Sequence, residues 1–451
     1  MATVEPDGLA QAGVSAMGAP RLTLPAPAGA AEAVDVEGQG RRAAARRFGA
    51  LRHRDFALFW VSIITSNTGY WMQLVAQGFL MYQLTGSKTL LGMVGLARAV
   101  PMLVFPLFGG VVADRVDRIR LLYITQGSQA ALALGLAVLV STGLVQPWHI
   151  IAASFLGAVC GAFDQPARRA LTPDLVPKAD LMSAVSLESA VFNGAAFTGP
   201  AIYGLVAPYI GIAGAFYANA VSYGAVLIAL ALIRVPPRPA GQGRGNMLAS
   251  LLEGLRYVRR HRILFTLVLL AAVTSFFARS YQQLLPAFIK DVLVPGAPHE
   301  TQLIYQSYLT SAAGGGTLLG AFSLAAIGGV RRKGLVLFGS VLAFATLLGL
   351  FALSSWYPLS LAVLVGVGAM NLTFGATTST LLQTIAPPEL RGRVMSLYTL
   401  CFLGFSPLGA GFTGPLADVI GAPAAVLAGA AVVAVVAVTL ALRRPEVRRY
   451  E

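Results

Sequence analysis

The chain has 451 residues, of which 56% are hydrophobic and 12% charged, with 33 Lys and Arg against 19 Asp and Glu for a formal net charge of +14. Soluble globular domains carry about 25% charged residues, so this composition excludes a soluble fold. The positive excess reads as topology facing an anionic leaflet, not as a nucleic-acid surface.

Residues 1–50 are rich in Ala, Gly and Pro and close on an Arg cluster. No apolar h-region precedes Phe56, which argues against a cleavable signal peptide. The segment is predicted to be a disordered cytoplasmic tail whose basic stretch, Arg41 to Arg54, lies along the membrane surface. Long charge-free runs follow: Phe56 to Ser87, Leu121 to Phe163, Ser189 to Ile233, Thr301 to Val330 and Gly334 to Pro388. A spanning helix needs roughly 20 apolar residues, so several runs hold two spans divided by turn chemistry. The dividers are Gln146-Pro147-Trp148, Pro208-Tyr209-Ile210-Gly211 and Ser354-Ser355-Trp356-Tyr357-Pro358.

The spacing predicts an all-α membrane protein with spans over 56–84, 89–112, 121–143, 148–165, 182–208, 213–233, 263–289, 303–327, 334–354, 359–385, 394–418 and 421–442. These make two six-helix bundles, 51–234 and 262–442, with a short tail at 443–451. Between them lies a cytoplasmic linker, 235–261, which opens Pro- and Gly-rich and resumes a Leu-containing amphipathic helix from Asn246 to Arg260.

The basic residues then sort to one side. All but four of the 33 fall in the tails, the linker or alternate loops, such as Arg115, Arg118 and Arg120, or Arg331, Arg332 and Lys333. Lys88 and Lys290 lie on the other side, and Arg98 and Arg279 fall within spans. The positive-inside rule predicts cytoplasmic N- and C-termini in a plasma (inner) membrane, with the lipid bilayer as a partner and no nucleic acid. Cys160 and Cys401 sit in apolar spans as small packing residues, with no disulfide framework.

The halves echo each other. Ile64-Thr65-Ser66 recurs as Val273-Thr274-Ser275, and the same offset of 209 aligns Gln73 with Gln282 and Phe79 with Phe288. Gly109-Gly110-Val111 resembles Gly328-Gly329-Val330, each ahead of a basic loop. Parallel repeats about an axis along the membrane normal place a substrate near the midplane, between the halves.

The loop after the second span carries Gly110, Asp114, Arg115, Arg118 and Leu122 in the spacing of a known signature. It resembles the gating motif of the major facilitator superfamily, with Asp117 in place of a Gly and Ile119 in place of a basic residue. The resemblance implies that this loop latches the halves on the cytoplasmic side, and that Asp164 partners it in an Asp114–Arg118–Asp164 network that forms when the transporter faces outward. Gly199-Pro200 and Gly204 resemble the Gly-Pro motif of drug:proton antiporters, with Ala195 and Tyr203 at two of its Gly positions, which implies a hinge and export. Segments such as Leu51 to Trp60, Gly95 to Pro101, Phe163 to Arg168 and Glu389 to Ser396 are similar to the enterobactin-exporter-like branch, and the likeness spans residues 51–440.

Ionisable residues inside a membrane are costly and mark function by default. Glu188 reads as a proton carrier and Arg98 or Arg279 as a substrate or counter-ion group. A structural Glu188–Arg98 ion pair is the competing arrangement. Asn67, Gln73, Gln282, Gln283 and Asn371 are expected to add hydrogen bonds in a polar midplane cavity. Asp418 is expected at the interface. His53, His149, His261 and His299 show no metal-ligand spacing, and no phosphate-binding loop occurs, so an intramembrane enzyme and ATP use are disfavoured. The expectation is a monomeric secondary transporter of a small molecule, proton-driven and exporting, with no metal or cofactor. Proton-coupled import is the alternative.

Overall fold

The computed structural model describes residues 49–105, 116–234, 247–327, 332–448 and 450, with the side chains of 247–251 and 327 left aside. The loop residues Gly110, Asp114 and Arg115, most of the tail and the Pro-rich part of the linker lie outside the described residues.

Every described element is helical. The first bundle holds α1 (Arg54–Thr85), α2 (Lys88–Val104), α3 (Arg118–Ser141), α4 (Pro147–Leu175) and α5 (Leu181–Leu232). The amphipathic linker helix is α6 (Met247–Arg260). The second bundle holds α7 (Arg262–Val273), α8 (Tyr281–Phe288), α9 (His299–Ile327), α10 (Lys333–Leu353), α11 (Tyr357–Ile385), α12 (Pro388–Thr399), α13 (Phe405–Ile420) and α14 (Ala422–Arg443). Among the described residues, nine helical segments are long and apolar enough to cross a membrane.

Local chemistry sets the helix ends. Ser87 caps α2 by accepting from Leu90 N at 3.2 Å, and Asp117 caps α3 by accepting from Arg120 N at 2.8 Å. That cap accounts for an acid where the family pattern has Gly. Pro147 begins α4 behind a reciprocal cap between Gln146 and His149. The divide expected over 208–211 is narrower than the sequence implied. Helical structure continues through Pro208, and the chain turns at Gly211 alone, at φ 62 and ψ −163, a conformation that suits Gly. The Tyr203 hydroxyl donates to the Gly211 carbonyl at 3.2 Å and ties the corner back.

Two long segments are not plain α-helices. π turns at Thr274–Ala278 and Ile289–Leu293 flank α8, and another at Leu400–Gly404 joins α12 to α13. Such turns shift the hydrogen-bond ladder by one residue and free a carbonyl.

The bundles meet along α2 with α13 and along α5 with α9. Glycines make both crossings close. A Cβ on Gly92 would stand 2.4 Å from the Ala410 carbonyl oxygen, and one on Gly314 would stand 2.3 Å from that of Ala196. The linker helix packs on α12, where Arg393 pairs with Glu253. At the start of the chain, the turn Gly49–Arg52 is held to the α4–α5 connection, with His53 Nε2 2.9 Å from Asp180 Oδ2.

Candidate functional site

Three groups of polar residues stand out, at different levels of the bundle. The first surrounds the two arginines that break the charge pattern. Arg98 Nη2 donates to Gln77 Oε1 at 2.7 Å. Gln77 is buried and in turn donates to Ser154 Oγ at 2.8 Å and to the Ile150 carbonyl at 3.2 Å, linking α1, α2 and α4. Arg279 Nη1 donates to the Phe402 carbonyl at 2.7 Å, and its guanidinium lies 4.3 Å from the centre of the Phe402 ring. Ser275 Oγ donates to the same carbonyl at 2.7 Å. That oxygen belongs to the π turn between α12 and α13, and the donors flank or occupy the π turn after α7. The two interruptions of regular helix therefore face each other. Arg279 Nε is buried without a hydrogen-bond partner.

The competing arrangement, an ion pair between Glu188 and Arg98, does not form. Glu188 accepts a hydrogen bond from Thr172 Oγ1 instead, joining α5 to α4 close to the basic end. Glu188 lies seven residues into α5 from that end, whereas Arg98 lies deep in α2, so no common level brings them together.

The second group is the charge cluster of α4. Asp164, with its side chain 6% exposed, accepts from Thr125 Oγ1 at 3.1 Å and Gln126 Nε2 at 2.6 Å, and pairs with Arg168 Nε at 2.6 Å. Arg118 pairs instead with Asp174 Oδ2 at 2.7 Å and donates to the Ala170 carbonyl at 2.9 Å. Arg118 and Asp164 thus have separate partners in this arrangement, which is not the outward-facing one for which their contact is expected. Arg168 stands one turn from Asp164 on the same helix face and claims it locally. Arg118 begins α3 at the membrane edge and meets Asp174 in the last turn of α4.

The third group is one that the sequence does not mark as a site. At the end of the bundle opposite the basic loops, the Tyr82 hydroxyl donates to Asp291 Oδ2 at 2.6 Å and Lys88 Nζ lies 3.1 Å from the same oxygen. Asp418 accepts from Lys88 N at 2.9 Å, from Thr89 N at 2.8 Å and from Ser87 Oγ at 3.1 Å. All of these contacts join one half to the other. A signal for one is present: Tyr82 and Asp291 are 209 residues apart, the offset of the internal repeat. Further joins lie deeper, where Gln306 Nε2 donates to the Val75 carbonyl at 3.3 Å and Ser311 Oγ to that of Phe197 at 2.9 Å.

The remaining expected residues are dispersed. Asn67 donates to Ile63 on its own helix at 2.9 Å, and Gln73 accepts from Asn219 at 2.6 Å within the first half. Gln282 is exposed, Gln283 packs near Gly95, and Asn371 Oδ1 is buried without a hydrogen-bond partner. Gly199 and Gly204 are close-packing positions on opposite sides of α5. A Cβ at the first would stand 2.7 Å from Trp71 Cβ, and one at the second 3.1 Å from the Tyr308 ring. Pro200 is buried within continuous helix. Among the described residues, no group of three or more His, Cys, Asp or Glu could hold a metal ion.

A family model described as "Transmembrane secretion effector" matches residues 45–451. The multidrug efflux pump Tap of Mycolicibacterium fortuitum is 27% identical over 385 residues, covering 82% of this chain and 91% of the relative. The staphyloferrin A transporter of Staphylococcus aureus (strain NCTC 8325 / PS 47) is 28% identical, covering 78% of this chain and 87% of its own. The enterobactin exporter EntS of Shigella boydii serotype 18 is 27% identical, covering 77% and 82%. Among solved structures, the nucleoside transporter NupG superposes with a TM-score of 0.68 at 15% identity, covering 88% of this chain and all of that one. An inward-facing bacterial homologue of the lysosomal transporter Spinster superposes with a TM-score of 0.62 at 15% identity, covering 87% and 96%.

Proposed function

Because the chain belongs to the transmembrane secretion effector family of the major facilitator superfamily, we propose that it exports a small organic molecule from the cytoplasm by alternating access. It is a multi-pass membrane transporter and not an enzyme. The observation that carries the mechanism is the position of the contacts between halves. Tyr82 with Asp291, Lys88 with Asp291, and Asp418 with the start of α2 gather at the end away from the basic loops. In our reading that end is extracellular, so these contacts form an outer gate, closed here. The cytoplasmic gate is the loop carrying Gly110, Asp114 and Arg115, with Arg118 held by Asp174 at its edge.

The orientation rests on the one-sided Lys and Arg. It places both termini in the cytoplasm of a cell whose plasma (inner) membrane the chain crosses twelve times, the two arms of α5 around Gly211 counting as two. Export is supported by the relatives named as efflux pump and enterobactin exporter. The driving force in this reading is the proton gradient, with Glu188 as the group that loads and unloads the proton beside Thr172. The transporter works as a monomer and needs no metal or organic cofactor.

Everted membrane vesicles given an inward-acid gradient test the reading. Substrate should accumulate inside them while protons leave, in a saturable manner. Accumulation only in right-side-out vesicles would reverse the direction, and gradient-independent flux would remove the proton coupling.

A further inference from the structure

The level at which the two buried arginines sit can be read from the packing of α2 against α8. Lys88 meets Asp291 at 3.1 Å, and seven residues further along α2 the Cβ position of Gly95 lies 3.5 Å from Gln283 Cγ. The helices therefore run antiparallel, position 88 level with 291 and 95 level with 283. Continuing that register by one turn puts Arg98 level with residues 279–280. Two guanidinium groups, one from each half, thus share a level of the membrane interior.

Neither is neutralised by a carboxylate among the described residues. Arg98 has the Gln77 amide, and Arg279 has a main-chain carbonyl and the face of Phe402. The acids lie elsewhere. Asp291 and Asp418 are at the outer gate, Asp174 and Glu188 toward the basic end, and Asp164 is already paired with Arg168. A charge in a membrane interior is retained when it acts on something, and no described residue supplies the expected counter-ion. Both residues are largely but not completely buried. Arg279 has its Nη1 spent on Phe402, yet its Nε is buried without a partner, a donor that goes unsatisfied until an acceptor reaches it.

We propose that Arg98 and Arg279 form a two-arginine centre between the halves that binds the carboxylate of an organic anion, which makes carboxylate-bearing molecules the substrate class. This rests on the transport reading above. A permanent pair of positive charges disfavours cations at this level, so the centre selects by repulsion as well as attraction. Because each half contributes one arginine, a bound carboxylate neutralises both and favours the arrangement that brings the halves together around it.

The test uses full-length protein in nanodiscs and two xanthene dyes of similar size. These are carboxyfluorescein (anionic) and rhodamine 6G (cationic), with binding read by fluorescence anisotropy. The anion should bind at least tenfold more tightly than the cation, a difference of about 1.4 kcal/mol. Arg98→Gln and Arg279→Gln should each weaken anion binding about tenfold, and Arg279→Lys about threefold, since it keeps the charge and loses the fork. Monodisperse elution of each variant guards against misfolding. Equal binding of anion and cation, or anion binding unchanged by both neutralising variants, would overturn the proposal. The same dyes in everted vesicles separate the two claims. A cation pumped and an anion ignored would keep the transporter and sink the anion centre. An anion bound but never moved would keep the centre and sink the transport reading.

Discussion

Asp418 holds the first turn of α2 from the opposite half of the molecule, its carboxylate 2.8 Å from the backbone nitrogen of Thr89. A carboxylate at a helix N-terminus meets unsatisfied N–H groups and the positive end of the helix dipole. Because Asp418 is exposed, the interaction is screened and contributes about 1 kcal/mol at most. Asp418→Asn should therefore shift the balance between outer-closed and outer-open states by about fivefold. Alkylation of a single cysteine placed at Thr85 should speed up correspondingly, with protein level unchanged. An unaltered alkylation rate would remove Asp418 from the gate.

The same contact offers a covalent test. With Cys160 and Cys401 replaced by Ser, the pair Ser87→Cys and Asp418→Cys should cross-link under oxidation, because the native Oγ and Oδ2 are 3.1 Å apart. Cross-linking should abolish transport and a reductant should restore it. Full transport in the cross-linked protein would mean that this end does not open during the cycle.

The crossing of α2 and α13 leaves no room for a methyl group. A Cβ on Gly92 would clash with the Ala410 carbonyl oxygen at 2.4 Å, whereas one on Gly127 meets nothing within 4 Å. Gly92→Ala should destabilise the protein by about 1–3 kcal/mol and sharply reduce transport. Gly127→Ala should leave both unchanged. Thermal unfolding followed by size-exclusion fluorescence compares the two directly.

Arg118 and Asp174 should be coupled. Asp174 has a side chain 5% exposed, so Arg118→Ala takes an ion-pair partner from a buried carboxylate and should destabilise the protein by about 1–3 kcal/mol. Asp174→Asn combined with Arg118→Ala should recover part of that loss. Strict additivity in the double-mutant cycle would show that the pair carries no interaction.

Glu188→Gln should abolish uphill, proton-driven efflux while leaving downhill exchange in place, because the amide keeps a partner for Thr172 and loses the titratable proton. Everted vesicles with and without an imposed gradient separate these activities. Retained uphill pumping would exclude Glu188 as the carrier.

Much of the architecture is legible in the sequence. Apolar runs place the helices, and turn residues such as Gln146, Pro147 and Ser354 lie at observed helix ends. The linker helix starts within a residue of its expected position. The π turn at Leu400–Gly404 gives no sequence signal, because its Phe402 carbonyl is claimed by Ser275 and Arg279 from a neighbouring segment. The cluster of Tyr82, Lys88, Asp291 and Asp418 is nearly silent in the sequence, because each reads as an ordinary interfacial residue when taken alone and only the 209-residue offset of Tyr82 and Asp291 points to it.

Composition and spacing determined that this chain is a bundle of membrane helices. That property follows from the transfer of individual residues between water and lipid, which depends on sequence position alone. Which polar group meets which was decided by the tertiary structure. A helix sets only its own i, i+4 neighbours, as with Asp164 and Arg168. The rotation and depth of one helix against another decided that Arg118 takes Asp174, that Glu188 takes Thr172, and that Arg98 and Arg279 stand level without an acid among the described residues.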